Sequence, residues 1–265
     1  MDESGFLFRR DGDRFVPTGH TQGPWAIGLQ FGGAPTALIA HVVEAIPTLA
    51  PMVVARLTVD LLRPVPIEPL EVCADVRREG KRLQVVDISL SAAGREVAAA
   101  RALRLRSEDL SDLELPRGEP RPRPADAAIH EKPSRSTAEE QMRGTLQYAL
   151  RPGGELFRDP TWVRLRVPVV AGHPTSPLER TAYVADSCSG VGHPFDLPVT
   201  GINADLTLSI VRPCEGEWLC IEGSGWTGAH DGIGTTQARL SDAAGVVAGV
   251  SMSRLVDREP STGTA

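Results

Sequence analysis

Apolar positions between residues 29 and 46, LQFGGAPTALIAHVVEAI, form a strongly apolar run that predicts a helix over 33–46. The pattern then changes period. RLTVDLLRPV (56–65) alternates apolar and polar residues with β-branched side chains, a strand closed by Pro64 and Pro66. LEVCADVRREGKRLQVVDISLSAAGREVAAARALRLR reads as three further strands, with turns at 78–81 and 93–95 where glycine supplies the backbone freedom of a tight hairpin. Ahead of the helix, FLFRRDGDRFVPT predicts a hairpin turning at 11–13. Beyond residue 144 the order recurs. GTLQYALRP and TWVRLRVPV read as strands and PLERTAYVADSCSGVG as a helix. INADLTLSIVRP, EWLCIEGSGWTG, GIGTTQARLSD and GVVAGVSMSRLV read as strands.

The recurrence extends to the residues. LTVDLLRP (57–64) returns as LTLSIVRP (206–213), 149 positions later, and SLSAAGREVAAARALRL (89–105) is echoed by ARLSDAAGVVAGVSMSRL (238–255) at nearly the same spacing. Two echoes in one order imply a duplicated unit. Each unit is α+β: an antiparallel meander has one face to bury, and a single apolar helix is its natural cover. The expected organisation is an N-terminal half over 1–108, a Pro-rich linker over 109–137, a C-terminal half over 138–258 and a flexible tail over 259–265.

Composition narrows the function. Of 265 residues, 41% are hydrophobic and 23% charged, with a net charge of −6 and no basic stripe, so no nucleic-acid partner is expected. No apolar run reaches the length of a membrane span, and MDESGFLFRRDGD lacks the layout of a secretory signal, which points to a cytoplasmic protein. Cys73, Cys188, Cys214 and Cys220 follow no metal spacing and read as reduced thiols. The six histidines show neither HExxH nor a clustered pair, so no metal or other cofactor is implied. There is no GxSxG elbow. Cys188 has no histidine at a recognisable spacing, and Arg63 and Arg212 read as strand-end charges.

FGG before an apolar helix (31–46), LTVDLLRPVP (57–66), VADSCSG (184–190), INADLTLSIVRP (202–213), GEWLCIEG (216–223) and DGIGTTQARLSDAAG (231–245), in this order, resemble the tandem hot-dog acyl-CoA thioesterases of the thioesterase II type. The resemblance covers almost the whole chain outside the linker and tail. It implies a double hot-dog fold in which antiparallel sheets each wrap one long central helix, and it implies hydrolysis of an acyl-CoA without a cofactor. Half-buried antiparallel sheets with β-branched edges further suggest a homo-oligomer.

Thioester hydrolysis needs an activated water and donors for the carbonyl oxygen. Gly32 and Gly33, at the mouth of the first helix, would let a thioester approach free N–H groups, or would merely relieve crowding between helix and sheet. Asp186 lies in an apolar helical turn, where a carboxylate is costly unless paired or functional. The resemblance gives it the role of orienting and activating water; otherwise it is a helix-face acid. The resemblance sets Asn203 where the family has a water-binding hydroxyl, against the plain alternative of a turn residue, and Asp205 beside it reads as structural or substrate-contacting. One position departs: Met252 stands where the family has a catalytic glutamine, so Asn203, Ser251 or Ser253 must substitute, or hydrolysis is impaired. The rival function is therefore an acyl-thioester binding protein without catalysis. A hot-dog hydratase would need a histidine five residues after the aspartate. Val191 stands there, and His193 is two residues too far.

Overall fold

The alternating segments pair into a single antiparallel sheet in the computed structural model, which describes residues 5–116, 118–130, 144–193 and 196–258. The expected tail and the end of the expected linker lie outside those residues. The strands are β1 (Phe8–Asp11), β2 (Arg14–Pro17), β3 (Met52–Asp60), β4 (Leu70–Arg78), β5 (Leu83–Ala92), β6 (Arg95–Arg106) and β7 (Ala128–His130). In the second part they are β8 (Leu146–Leu150), β9 (Thr161–Leu165), β10 (Val199–Asn203), β11 (Asp205–Ile210), β12 (Leu219–Thr227), β13 (Ile233–Asp242) and β14 (Gly245–Arg258). Their order across the sheet is β1-β2-β4-β5-β6-β3-β11-β14-β13-β12-β9-β8-β7, with β10 also on β14. Strand β7 forms inside the stretch expected as linker and takes the far edge, on β8. The expected turn at 93–95 forms with Ala93 and Gly94 both at positive φ, the conformation a two-residue hairpin needs.

The two halves meet at β3 and β11, in a register that places Thr58 opposite Thr207. These are the same residue of the repeated segment, and antiparallel pairing about equivalent residues makes a local two-fold axis there. Smaller irregularities obey the same symmetry. The register slips at Val54/Arg56 in β3, and the chain breaks between β10 and β11 at Ala204, 149 positions beyond Ala55. Slips at Leu90/Ser91 and Leu240/Ser241 are a further matched pair. Each half also sends a buried arginine from its last strand, Arg104 or Arg254, to the carbonyls that end its helical segment.

Among the described residues two α-helices lie against the sheet. Helix α1 (Gly33–Ala45) buries residues all round, Leu38, Ile39, Ala40 and Val43 among them, as its apolar density requires. Burial of each large aliphatic contributes about 2 kcal/mol. Helix α2 (Pro177–Ala185) starts on a capping box in which the Ser176 hydroxyl accepts from Glu179 N–H and the Glu179 carboxylate accepts from Ser176 N–H. It is shorter than the segment read as helical, because Asp186–Gly190 tightens into a 3-10 turn. Serines and glycine there are poor helix formers, and Gly192 turns the chain at φ +68. Helices α1 and α2 pack on each other and, with the inward sheet face, form one hydrophobic core. The four cysteines are free. No helix among the described residues is long and apolar enough to cross a membrane.

Candidate active site

Where α2 ends, its last turn faces the first turn of α1. Asp186, the residue that closes α2, is only 3% exposed. Asn203, 7% exposed at the end of β10, donates through Nδ2 to Asp186 Oδ1 at 2.8 Å. The backbone N–H of Gly33, one of the donors that a helix leaves unsatisfied at its first turn, lies near enough to the carboxylate to favour its charged form. Burial raises the Asp186 pKa and these two donors oppose it, leaving the carboxyl at about 6. A carboxylate poised there is both a competent base near neutrality and a group held at energetic cost.

The glycine pair is explained by these contacts. A Cβ on Gly32 would stand 2.8 Å from Asp186 Oδ1, and one on Gly33 would stand 2.5 Å from the Tyr183 carbonyl oxygen and 2.6 Å from the Phe31 ring. Only bare backbone lets α1 approach α2 this closely. The bare backbone of the pair here meets the carboxylate itself.

Of the other residues singled out in the sequence, Met252 is buried on the inward face of β14, while Ser251 and Ser253 are exposed on the opposite face. The period of two in a strand forces that separation, and it keeps both serines away from Asp186. Asp205 takes the first position of β11, where its carboxylate accepts from Ser253 N–H at 2.5 Å, a contact that ties β11 to β14. Arg212 forms an ion pair with the buried Asp242, and Arg63 donates to the Glu96 carbonyl oxygen. Both arginines serve the strand ends.

Several neighbours were not evident from sequence. Tyr183 is fully buried, and its hydroxyl has no hydrogen-bond partner. It precedes Asp186 by three residues on the same helix face, a spacing that could have flagged it. The Phe31 ring lies 5.5 Å from that of Tyr183. Tyr148, from β8, is close enough that burial and the Asp186 charge contribute to raising its phenol to about 12. Burial pushes the Cys188 thiol up, with Asp186 adding to the effect, so Cys188 is a protonated core residue and not a nucleophile. Among the described residues no group of His, Cys, Asp and Glu converges as a metal site. A concavity of about 610 Å³ lies on the outer sheet face of the first half, along Thr58, Asp75, Asp87 and Arg101, and shares no residue with this cluster.

The internal symmetry supplies a control. The matched strand irregularities and arginine contacts place Ala40, Val54 and Ala102 in the first half where the second has Asp186, Asn203 and Met252. All three are buried. The architecture is thus satisfied by apolar residues at these positions, and the acid–amide pair of the second half is not needed to build it.

Comparisons with known proteins match the chain in two consecutive segments. The family "Acyl-CoA thioesterase N-terminal domain" matches residues 21–105, and "Acyl-CoA thioesterase C-terminal domain" matches residues 118–252. No curated protein matches the chain. Among solved structures, a protein from Alicyclobacillus acidocaldarius described as having a hot dog fold is similar, with 17% identity, 96% of each chain covered and a TM-score of 0.71. The acyl-CoA thioesterase II TesB2 of Mycobacterium marinum is similar at 17% identity, 96% coverage of each chain and a TM-score of 0.60. At such identities the likeness establishes the hot-dog fold.

Proposed function

The chain belongs to the acyl-CoA thioesterase family, and on that premise we propose that it hydrolyses an acyl-CoA to the free acid and CoA, with Asp186 as the base. The observation that carries this reading is the buried Asp186–Asn203 pair at the mouth of α1, set against Ala40 and Val54 at the matching places of the first half. A buried carboxylate with a raised pKa and no ionic partner reduces stability, so its presence in one half alone points to use.

In the proposed reaction a water attacks the thioester carbonyl carbon while Asp186 takes its proton. Asn203 and the Gly33 N–H hold the carboxylate in place. Negative charge collects on the carbonyl oxygen, for which the backbone at Gly32 is the proposed donor. Collapse of the tetrahedral intermediate breaks the carbon–sulfur bond, and the thiolate leaves with the proton that Asp186 returns. The fold in this reading is two hot-dog halves, 1–108 and 138–258, each built on one helix and joined through 109–137.

Met252 favours one other reading, a protein that binds acyl-CoA without turning it over, because methionine cannot hold a water by a strong hydrogen bond. A thiol-release assay over acyl-CoAs of graded chain length, run beside a binding titration, separates the two. Turnover abolished by Asp186→Asn supports hydrolysis, and binding without turnover supports the rival. Assembly into homo-oligomers is part of the proposal. Ile202, Leu255 and Ile233 are cross-strand neighbours that present an exposed apolar strip on the outer face of the second half. Light scattering that finds only monomer at micromolar concentration would overturn that element.

A further inference from the structure

Arg254 is among the most buried side chains of the protein, 2% exposed, and its hydrogen-bond acceptors are all backbone carbonyls. Nη1 donates to Ser189 O at 3.1 Å, and Nη2 reaches Gly192 O and Thr235 O at 3.5 Å each. Burial alone draws its pKa down, with no carboxylate offsetting that cost. A guanidinium retained without a counter-ion in a core is held there for what it grips, and it grips both carbonyls at the far end of the turn that begins with Asp186. That turn is a short 3-10 segment, whose own hydrogen bonds are poorly aligned, so an outside anchor matters to its position. Room for the anchor is made by glycine: a Cβ on Gly225 would lie 3.1 Å from Nη2 and one on Gly234 3.2 Å from Nε. In the ladder, Arg254 stands directly opposite Asn203, the residue that donates to Asp186.

We propose that Arg254 is a positioning residue for the reaction, fixing the Asp186–Gly190 turn from below so that the carboxylate stays against Asn203 and Gly33. The proposal rests on the hydrolase reading, and the symmetry of the chain provides its control. Arg104 makes the matching contacts in the first half, donating to Val43 O and Ile46 O at the end of α1 and also to Gln84 Oε1, and the place that matches Asp186 is held there by Ala40.

The experiment compares Arg254→Met, Arg254→Lys and Arg104→Met in the full chain. It measures melting temperature, kcat and KM in the thiol-release assay, and the titration of the Asp186 carboxyl by carbon-13 resonance. The two methionine variants should lose similar melting temperature. Only Arg254→Met should lose kcat, by about 30-fold with KM within about threefold, and only there should the Asp186 titration fall towards that of a hydrated aspartate. Arg254→Lys, which keeps a donor, should recover about a third or more of the wild-type kcat. Equal kcat losses in Arg104→Met and Arg254→Met, or an unmoved Asp186 titration in Arg254→Met, would overturn the assignment. If Arg254→Met does not fold, Arg254→Gln against Arg104→Gln, a shorter side chain in each place, decides: a kcat loss in both or in neither overturns it. Absence of turnover in the wild type would sink the hydrolase reading instead, and the carboxyl titration would still test whether Arg254 positions Asp186.

Discussion

Replacing Asp186 by asparagine should make the protein more stable at neutral pH while removing its activity. Burial holds the Asp186 carboxyl at about 6 against an ordinary 3.8. Between these values the folded protein keeps a proton that the unfolded chain has released. Stability therefore falls as pH rises through that window, and the penalty is fully present above pH 6. Roughly two pKa units correspond to about 3 kcal/mol. Asparagine carries no charge to desolvate, but its amide nitrogen replaces one of the two carboxylate oxygens, so the site keeps one acceptor atom where it had two. The lost acceptor costs about 1 kcal/mol. The variant should thus gain about 2 kcal/mol at pH 7, a rise of roughly 5 °C in melting temperature for a chain of this size. At pH 3.5, where both folded and unfolded aspartate are protonated, the gain should vanish or reverse. Urea unfolding of both proteins at pH 3.5, 5 and 7 measures this, and thiol release should show kcat at least about 100-fold lower in the variant. A variant less stable than wild type at pH 7, or one whose advantage does not shrink as pH falls, would refute the account of a costly, poised carboxylate. Full activity in a folded Asp186→Asn protein would move the chemistry elsewhere.

Other outcomes follow from the same geometry. The pH profile of kcat should rise with an apparent pKa near 6, because only ionised Asp186 can accept the proton, and a profile flat from pH 5 to 8 would count against it. Asn203→Ala should lower kcat by about 10- to 100-fold and move that limb to higher pH, since a bond favouring the charged form is lost; steady-state rates across pH test both effects. Met252→Gln should raise turnover by roughly 10-fold, because Ser251 and Ser253 face away from the site and cannot stand in for an amide; an unchanged rate would mean that Asn203 already suffices. Gly33→Ala should destabilise the chain by several kcal/mol, with the Cβ driven into the Tyr183 carbonyl, and chemical unfolding would measure that loss.

Much of this protein was legible in its sequence, for reasons that differ by element. The strands announce themselves through a period of two, and the duplication through LTVDLLRP and LTLSIVRP, whose pairing places Thr58 against Thr207. Helix α1 was readable because so strongly apolar a run can only be buried. Asp186 stood out as an acid in an apolar turn. The sequence did not settle where α2 stops: the serines and glycine of DSCSG weaken a helix without fixing its last residue, and the turn after Ala185 is held by Asn203 and Arg254, residues far apart in the chain. Nor could it rank the serines beside Met252, because which face of β14 looks inward is set by the helices that cover it. The glycine pair was legible as a close approach of bare backbone, but not that the group approached at Gly32 is a carboxylate far along the chain. Local propensity and periodicity are properties of neighbouring residues, so the chain by itself determined its strands, its repeat and its one anomalous acid. The site is a meeting of two helix ends and two strands brought together by packing, and only the tertiary structure decided which groups that acid would meet.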